Sequence, residues 1–250
     1  MPAVARAGSP AGQDTGQLAA ALIRRLEAQG SAHNVAGMAR YGINPEGTLG
    51  VPVAVLRGIA RELRPLRRES PADAHDLAAA LWASGVHEAR ILAALVDVPA
   101  LVTPEQADDW VADLDSWDVC DQLQDLFVPT PFAYAKAVEW AGAEAPFVKR
   151  SGFVLVCALA VHDKAAPDER LIALLDLVER EATDERNYVK KAANWALRQV
   201  GKRSARCHAA AVACAERILS EQAHSRAARW VARDALRELR SEAVLRRVHR

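Results

Sequence analysis

The spacing of apolar positions along the chain is helical almost throughout. Leu18, Leu22 and Leu26 recur at intervals of four, and Leu56, Ile59, Ala60 and Leu63 at intervals of three, one and three after Pro52, a residue favoured in a first helical turn. A short helix is expected over residues 35–40 between them. Strand-like alternation is confined to residues 51–55, which run on into the helical pattern. Beyond Pro71 the periodic segments come in pairs with Pro, Gly or Asp at the breaks: 71–84 with 86–97, 104–114 with 117–128, 131–142 with 146–162, 167–182 with 186–202, and 204–221 with 224–240. First members start 33, 27, 36 and 37 residues apart, close to the period of about 40 residues of HEAT repeats. The pattern predicts an all-α fold, a curved solenoid of antiparallel helix pairs (HEAT-like repeats), with a compact helical bundle as the alternative. Residues 1–15, rich in Ala, Gly, Pro and Ser and without periodicity, are expected to be a disordered tail, leaving 16–250 as a single domain.

With 250 residues, 51% apolar and 26% charged, the chain can bury a large core as one elongated domain or two small ones. The longest apolar run, residues 153–161, is too short to span a bilayer, and the start of the chain lacks the apolar region of a signal peptide. A cytoplasmic protein without a membrane partner is expected. Cys120, Cys157, Cys207 and Cys214 form no C-x-x-C pair and sit within apolar helical patterns, which suits reduced, buried, structural thiols. The seven histidines form no zinc-binding pair, and no glycine-rich phosphate loop is present, so neither a metal nor a cofactor is implied.

A net charge of zero hides an asymmetry. Residues 186–250 carry 16 Lys and Arg against 5 Asp and Glu, a balance of +11, so residues 1–185 carry −11. A basic end points to a polyanionic partner, or to an ordinary solvated face. Between Asp97 and Asp125 there are nine acidic residues and no basic one, so in a nucleic-acid-binding protein most of those carboxylates must point away from the ligand.

Residues 115–121 read as the start of a helix near Trp117. Asp115 or Ser116 can cap its first turn, and Asp118 favours the positive end of the helix dipole. Trp117 and Asp121 then lie one turn apart and can face one bound group; a core tryptophan beside a solvated carboxylate is the alternative. In a stack of helix pairs, functional residues should recur on the same member of successive pairs. Second helices carry Trp117 and Asp121, then Lys149 and Arg150, then Tyr188, Lys191, Trp195, Arg198 and Lys202 at offsets of three or four. On this last helix Val189, Ala193, Ala196 and Val200 suit the core, which places Trp195 on the cationic stripe. The final pair repeats the theme with Arg226, Trp230, Arg233 and Arg237, although Trp230 is expected to pack in the core under an arginine cover. Cations interleaved with aromatics suit phosphate neutralisation and contact with sugars or bases.

The stretches Met38-Ala39-Arg40-Tyr41, Ser116-Trp117-Asp118-Val119-Cys120-Asp121, Phe147-Val148-Lys149-Arg150 and Lys191-Ala192-Ala193-Asn194-Trp195-Ala196-Leu197-Arg198 together resemble the AlkD-like DNA alkylation repair glycosylases, which are built from HEAT-like repeats. The resemblance covers most of the chain after the tail. It implies a tryptophan followed four residues later by an essential aspartate, matched by Trp117 and Asp121; an arginine early in a later helix, matched by Arg150; and a second active-site tryptophan, matched by Trp195. The family often has two adjacent tryptophans where this chain has Ser116-Trp117. The activity implied by the resemblance is that of a DNA glycosylase for cationic N3- or N7-alkylated purines in duplex DNA, monomeric, with Asp121, Trp117 and Trp195 as catalytic residues and Arg150, Lys149, Lys190, Lys191, Arg198 and Lys202 as DNA-binding residues. The alternative is a non-catalytic HEAT-like module that binds DNA structures or a protein.

Overall fold

The apolar stripes become helices whose ends fall within a few residues of the expected breaks. The computed structural model describes residues 10–248, with side chains from residue 14 onward. Its packing divides the chain into two compact units, residues 1–103 and 104–250, where the sequence pattern predicts one domain over 16–250. Of the tail expected over residues 1–15, residues 1–9 lie outside the described residues, and a helix begins at Pro10.

The first unit contains α1 (Pro10–Glu27), α2 (Ala32–Arg40), α3 (Val53–Glu62), α4 (Arg64–Glu69), α5 (Pro71–Ala83) and α6 (His87–Val96). α1 packs on α5 through Ala19, Leu22 and Leu26, α5 on α6, and α3 on α6 through Leu56 and Ile59. α4 carries Arg64, Arg67, Arg68 and Glu69 and buries no residue, so it leaves no apolar stripe to read. Residues 51–52 are extended and lead into α3, and no strand occurs among the described residues. The buried Glu88 carboxylate fixes this connection by accepting from the backbone N–H groups of Leu49 (2.9 Å), Gly50 (2.6 Å) and Val51 (3.1 Å). Gly50 has φ +80°, and a Cβ there would lie 2.4 Å from the Ser31 carbonyl oxygen, so both backbone conformation and space require glycine.

The second unit contains α7 (Pro104–Ala112), α8 (Trp117–Phe127), α9 (Ala133–Ala141), α10 (Pro146–His162), α11 (Asp168–Ala173), α12 (Leu175–Glu181), α13 (Asn187–Gly201), α14 (Ala205–Glu221), α15 (Arg226–Leu239) and α16 (Glu242–Val248). The second helices pack side by side in the order α8, α10, α13, α15, while α9, α12 and α14 neighbour one another in the row of first helices. This is an all-α HEAT-like stack of helix pairs. α10 touches α8, α9 and α13, so every residue from Lys149 to Ala160 is buried. That encirclement accounts for the uninterrupted apolar run over residues 153–161. α9 and α10 cross at Gly152, where a Cβ would lie 2.2 Å from the Ala141 nitrogen.

Two departures from the predicted elements have local causes. The helix expected over 167–182 divides at Leu174, where Leu174 N–H bonds to Leu171 and Leu177 N–H to Leu174, the tighter i→i−3 pattern. α16 follows α15 after a short turn and buries only Val244, too little for an apolar period. Ser204 and Ser225 cap α14 and α15 by accepting from Cys207 N (3.1 Å) and Ala228 N (3.2 Å). Ser116 is the N-cap of α8 in extended backbone, without a side-chain capping bond.

Candidate functional site

The site is built where α8, α10 and α13 meet. On α8, Val119, Cys120, Leu123, Leu126 and Phe127 face the core, and the 3.6-residue period therefore leaves Trp117 and Asp121 on the same partly open face. On α10, the encircling helices force Arg150 inward, where its guanidinium needs an anionic partner. It finds Asp121: Nη2 donates to Oδ1 at 2.8 Å and to Oδ2 at 2.9 Å, and Nε to Oδ1 at 3.0 Å. Its remaining nitrogen, Nη1, donates to the Tyr188 carbonyl on α13 at 2.9 Å. The Trp117 ring centroid lies 6.0 Å from the Arg150 Cζ, at the outer limit of cation–π contact. Arg150 thus ties three helices together and holds the carboxylate in one orientation.

Arg150, expected to hold a phosphate, has a side chain only 7% exposed, with its donors directed to Asp121 and Tyr188. Lys149 is likewise engaged: it is buried, with Nζ 2.6 Å from Glu181 and 3.7 Å from Asp184, and joins α10 to the segment before α13. Arg198 and Lys202 are half-buried and both pair with Glu238 on α15, Lys202 at 2.7 Å. Lys191 is exposed, and Lys190 lies with Nζ 5.9 Å from the Trp230 ring centroid. Trp230 is 39% exposed, against the expectation of a core position.

Asp121 and Trp195 do come together. They line a cavity of about 250 Å³ whose walls also include Gln124, Val154, Cys157 and Gln199. Gln124 and Gln199 belong to no motif in the sequence, yet each lies one turn beyond a residue that does: Gln124 three after Asp121, Gln199 four after Trp195. The face that places the acid and the ring also places the amides. Gln124 Nε2 donates to the Cys120 carbonyl at 2.8 Å.

Burial pushes Asp121 up to about 6, opposed by the charge and hydrogen bonds of Arg150 and reinforced by the negative Asp118 nearby. Burial also raises the Cys120 thiol to about 12 and holds Cys157 well above its ordinary value. Both thiols are neutral near pH 7, which leaves Asp121, Asp125 and His162 as the titratable groups on the cavity wall; Asp125 and His162 are exposed and face each other at 3.6 Å, and Asp121 is the least exposed of the three, held by Arg150. Part of the acidic tract is engaged in internal pairs: Asp108 accepts from Lys136 Nζ (2.6 Å) and Trp140 Nε1 (2.9 Å), and Asp97 pairs with His75 Nδ1 (2.7 Å). Among the described residues no helix is long and apolar enough to cross a membrane.

The fold and the site define a HEAT-like stack of helix pairs with an acid and tryptophans on its second helices. Residues 22–239 match the model of the DNA alkylation repair enzyme family, so the chain belongs to that family. A solved structure described as "a new family of proteins related to the HEAT-like repeat DNA glycosylases with affinity for branched DNA structures" superposes with a TM-score of 0.65 at 20% identity, covering 78% of this chain and 81% of that one. No curated protein matches.

Proposed function

We propose that this protein is a DNA glycosylase that releases N3- or N7-alkylated purines from duplex DNA. The observation that carries this reading is the placement of Asp121 and Trp195 on one cavity, with the carboxylate held by Arg150. An alkylated purine of this kind is a cation and departs as a neutral base, taking the electron pair of the C1′–N bond. No strong general acid is therefore required, and a single carboxylate suffices. Positive charge develops on the deoxyribose as the bond breaks. Asp121 stabilises that charge, orients a water toward C1′ and accepts its proton as the new C–O bond forms. A carboxyl group with a value of about 6 is ionised at neutral pH yet basic enough for that last step. Trp195 and Trp117 offer ring faces to the cationic nucleotide, an attraction of about 0.5–2 kcal/mol each. Lys190 and Lys191 supply phosphate contacts. Such a protein acts as a cytoplasmic monomer without metal or cofactor.

Incubation with methylated duplex DNA, followed by chromatography of released bases, tests the reading. Free 7-methylguanine or 3-methyladenine is expected, with release at least roughly 10²-fold lower for Asp121→Asn. The second reading, a non-catalytic module for DNA structures, is favoured by the description of the structural neighbour. Intact methylated DNA together with tight binding to three- or four-way junctions would select it.

A further inference from the structure

α15 carries a feature that neither excision nor duplex backbone contact requires. An open cleft of about 440 Å³ is lined by Arg226, Arg229, Trp230, Arg233, Asp234 and Arg237. The helix buries Ala227, Ala228, Val231, Ala232, Ala235 and Leu236 against its neighbours, and its opposite face bears the arginines. Trp230 sits on that cationic face with 39% of its surface exposed, although an indole that large is ordinarily covered. Lys190 of α13 lies over the ring, its Nζ 5.9 Å from the centroid. The arginines are only lightly committed: Arg226 lies 3.5 Å from Glu185 with its side chain 83% exposed, Arg237 pairs with Asp234 while 80% exposed, and Arg229 donates to the Ala223 carbonyl. Four guanidinium groups face one cleft carboxylate, that of Asp234, so the cleft favours an anion.

Phosphate attraction explains the arginines and leaves the indole unexplained, since duplex backbone contacts are made by charge and hydrogen bonds. A base within a duplex already stacks on its neighbours and cannot offer its face. An unpaired base can. We infer that the α15 cleft binds an unpaired nucleic-acid strand, one base stacking on Trp230 while Arg226, Arg233 and Arg237 hold the flanking phosphates. Lys190 backs the ring and joins the cleft to α13, whose Trp195 lines the cavity of Asp121. The inference rests on the DNA-binding part of the proposed function and is independent of excision.

The test is fluorescence anisotropy with the full chain and three labelled probes: a blunt duplex, the same duplex with a ten-nucleotide oligothymidine tail, and a blunt duplex with phosphates added to match the tailed one. The tailed duplex should bind roughly tenfold more tightly than the phosphate-matched blunt duplex, as expected for stacking on one aromatic. Trp230→Ala should erase that preference, Trp230→Phe should keep most of it, and Arg233→Ala should weaken binding to the tail. Circular dichroism confirms that each variant is folded. Equal affinity for tailed and phosphate-matched duplexes overturns the inference. So does a Trp230→Ala variant that keeps the preference, or one that loses affinity for blunt and tailed duplex equally. Base release from methylated blunt duplex, assayed in parallel, separates the two claims: a Trp230-dependent tail preference without excision leaves the strand site standing and removes the glycosylase.

Discussion

Arg150 grips Asp121 with both carboxylate oxygens within 2.9 Å of Nη2, and the pair joins α10 to α8 with side-chain exposures of 7% and 18%. Removing one member of such a pair strands the other in a place water reaches poorly. Arg150→Ala should therefore cost about 3–5 kcal/mol, read as a clear fall in Tm. Arg150→Lys should recover only part of it, because an ammonium cannot reproduce the planar fork. Asp121→Asn in the Arg150→Ala background should add little further loss, and a double-mutant cycle measures that coupling. Strictly additive effects would mean the two side chains are not energetically linked.

In the proposed reaction, the pH dependence of excision is set by the same carboxylate. Asp121 is raised to about 6, chiefly by burial, and only its ionised form opposes the sugar cation. Excision should fall as pH drops through about 6 and level off above it. Asp118 is among the causes of the upward shift, so Asp118→Asn should lower the Asp121 value and carry the acid limb to lower pH. A limb that moves upward, or stays fixed, would show that another group titrates.

Trp195 and Trp140 offer a controlled comparison within one unit. Trp140 is buried, packs against Phe127 with centroids 5.5 Å apart and donates Nε1–H to Asp108 at 2.9 Å. Its truncation to Ala should cost roughly 3–5 kcal/mol. Trp195 is half-buried and borders an open cavity, so Trp195→Ala should lower Tm much less while reducing excision. Comparable losses of stability would place Trp195 in the core.

The helix pairs beyond Pro71 are legible in the sequence because each helix has one wet and one dry side, and an apolar stripe records that difference directly. α4 and α16 leave no stripe, and so no signal. Trp117, Asp121 and Trp195 can be placed because each lies opposite a run of core positions on its own helix. The partners of the cations cannot, since Glu181 and Glu238 sit 32 and 40 residues from Lys149 and Arg198, and pairing at that distance depends on how helices stack. Trp230 is the instructive error. Its helix has an alanine-rich dry face that leaves no room for an indole, and that face is readable from Ala227, Ala228, Ala232 and Ala235.

The same pairing redistributes the cations expected to bind duplex. Lys191 is exposed, whereas Lys149 is buried between Glu181 and Asp184. In the slope of log K against log salt, Lys191→Ala should remove about 0.9, the share of one phosphate contact. Lys149→Ala should leave the slope unchanged and lower Tm by removing the buried ion pair with Glu181, whose carboxylate keeps only Arg180. Filter binding across a salt series, with denaturation scans of both variants, checks the assignment; a slope reduced by Lys149→Ala would return that lysine to the DNA surface.

Asp121 carries the greatest weight in the proposed chemistry, and a test of its role must separate charge from shape. Asp121→Asn keeps the size of the side chain and still accepts a hydrogen bond from Arg150, yet it removes the charge that opposes the oxocarbenium ion and the base that takes a proton from water. Base release should fall at least roughly 10²-fold, the scale for loss of one preorganised electrostatic group. Binding to undamaged duplex should hold or tighten, since a negative charge near phosphate is gone. Asp118 lies in the first turn of the same helix, where its charge is worth about 0.3–1 kcal/mol to the dipole. At a pH well above the acid limb, Asp118→Asn should therefore release base at close to the parent rate. If both asparagine variants lose excision equally, the distinction between an acid held by Arg150 on the cavity wall and one that only favours the helix dipole fails, and Asp121 is not the catalytic carboxylate.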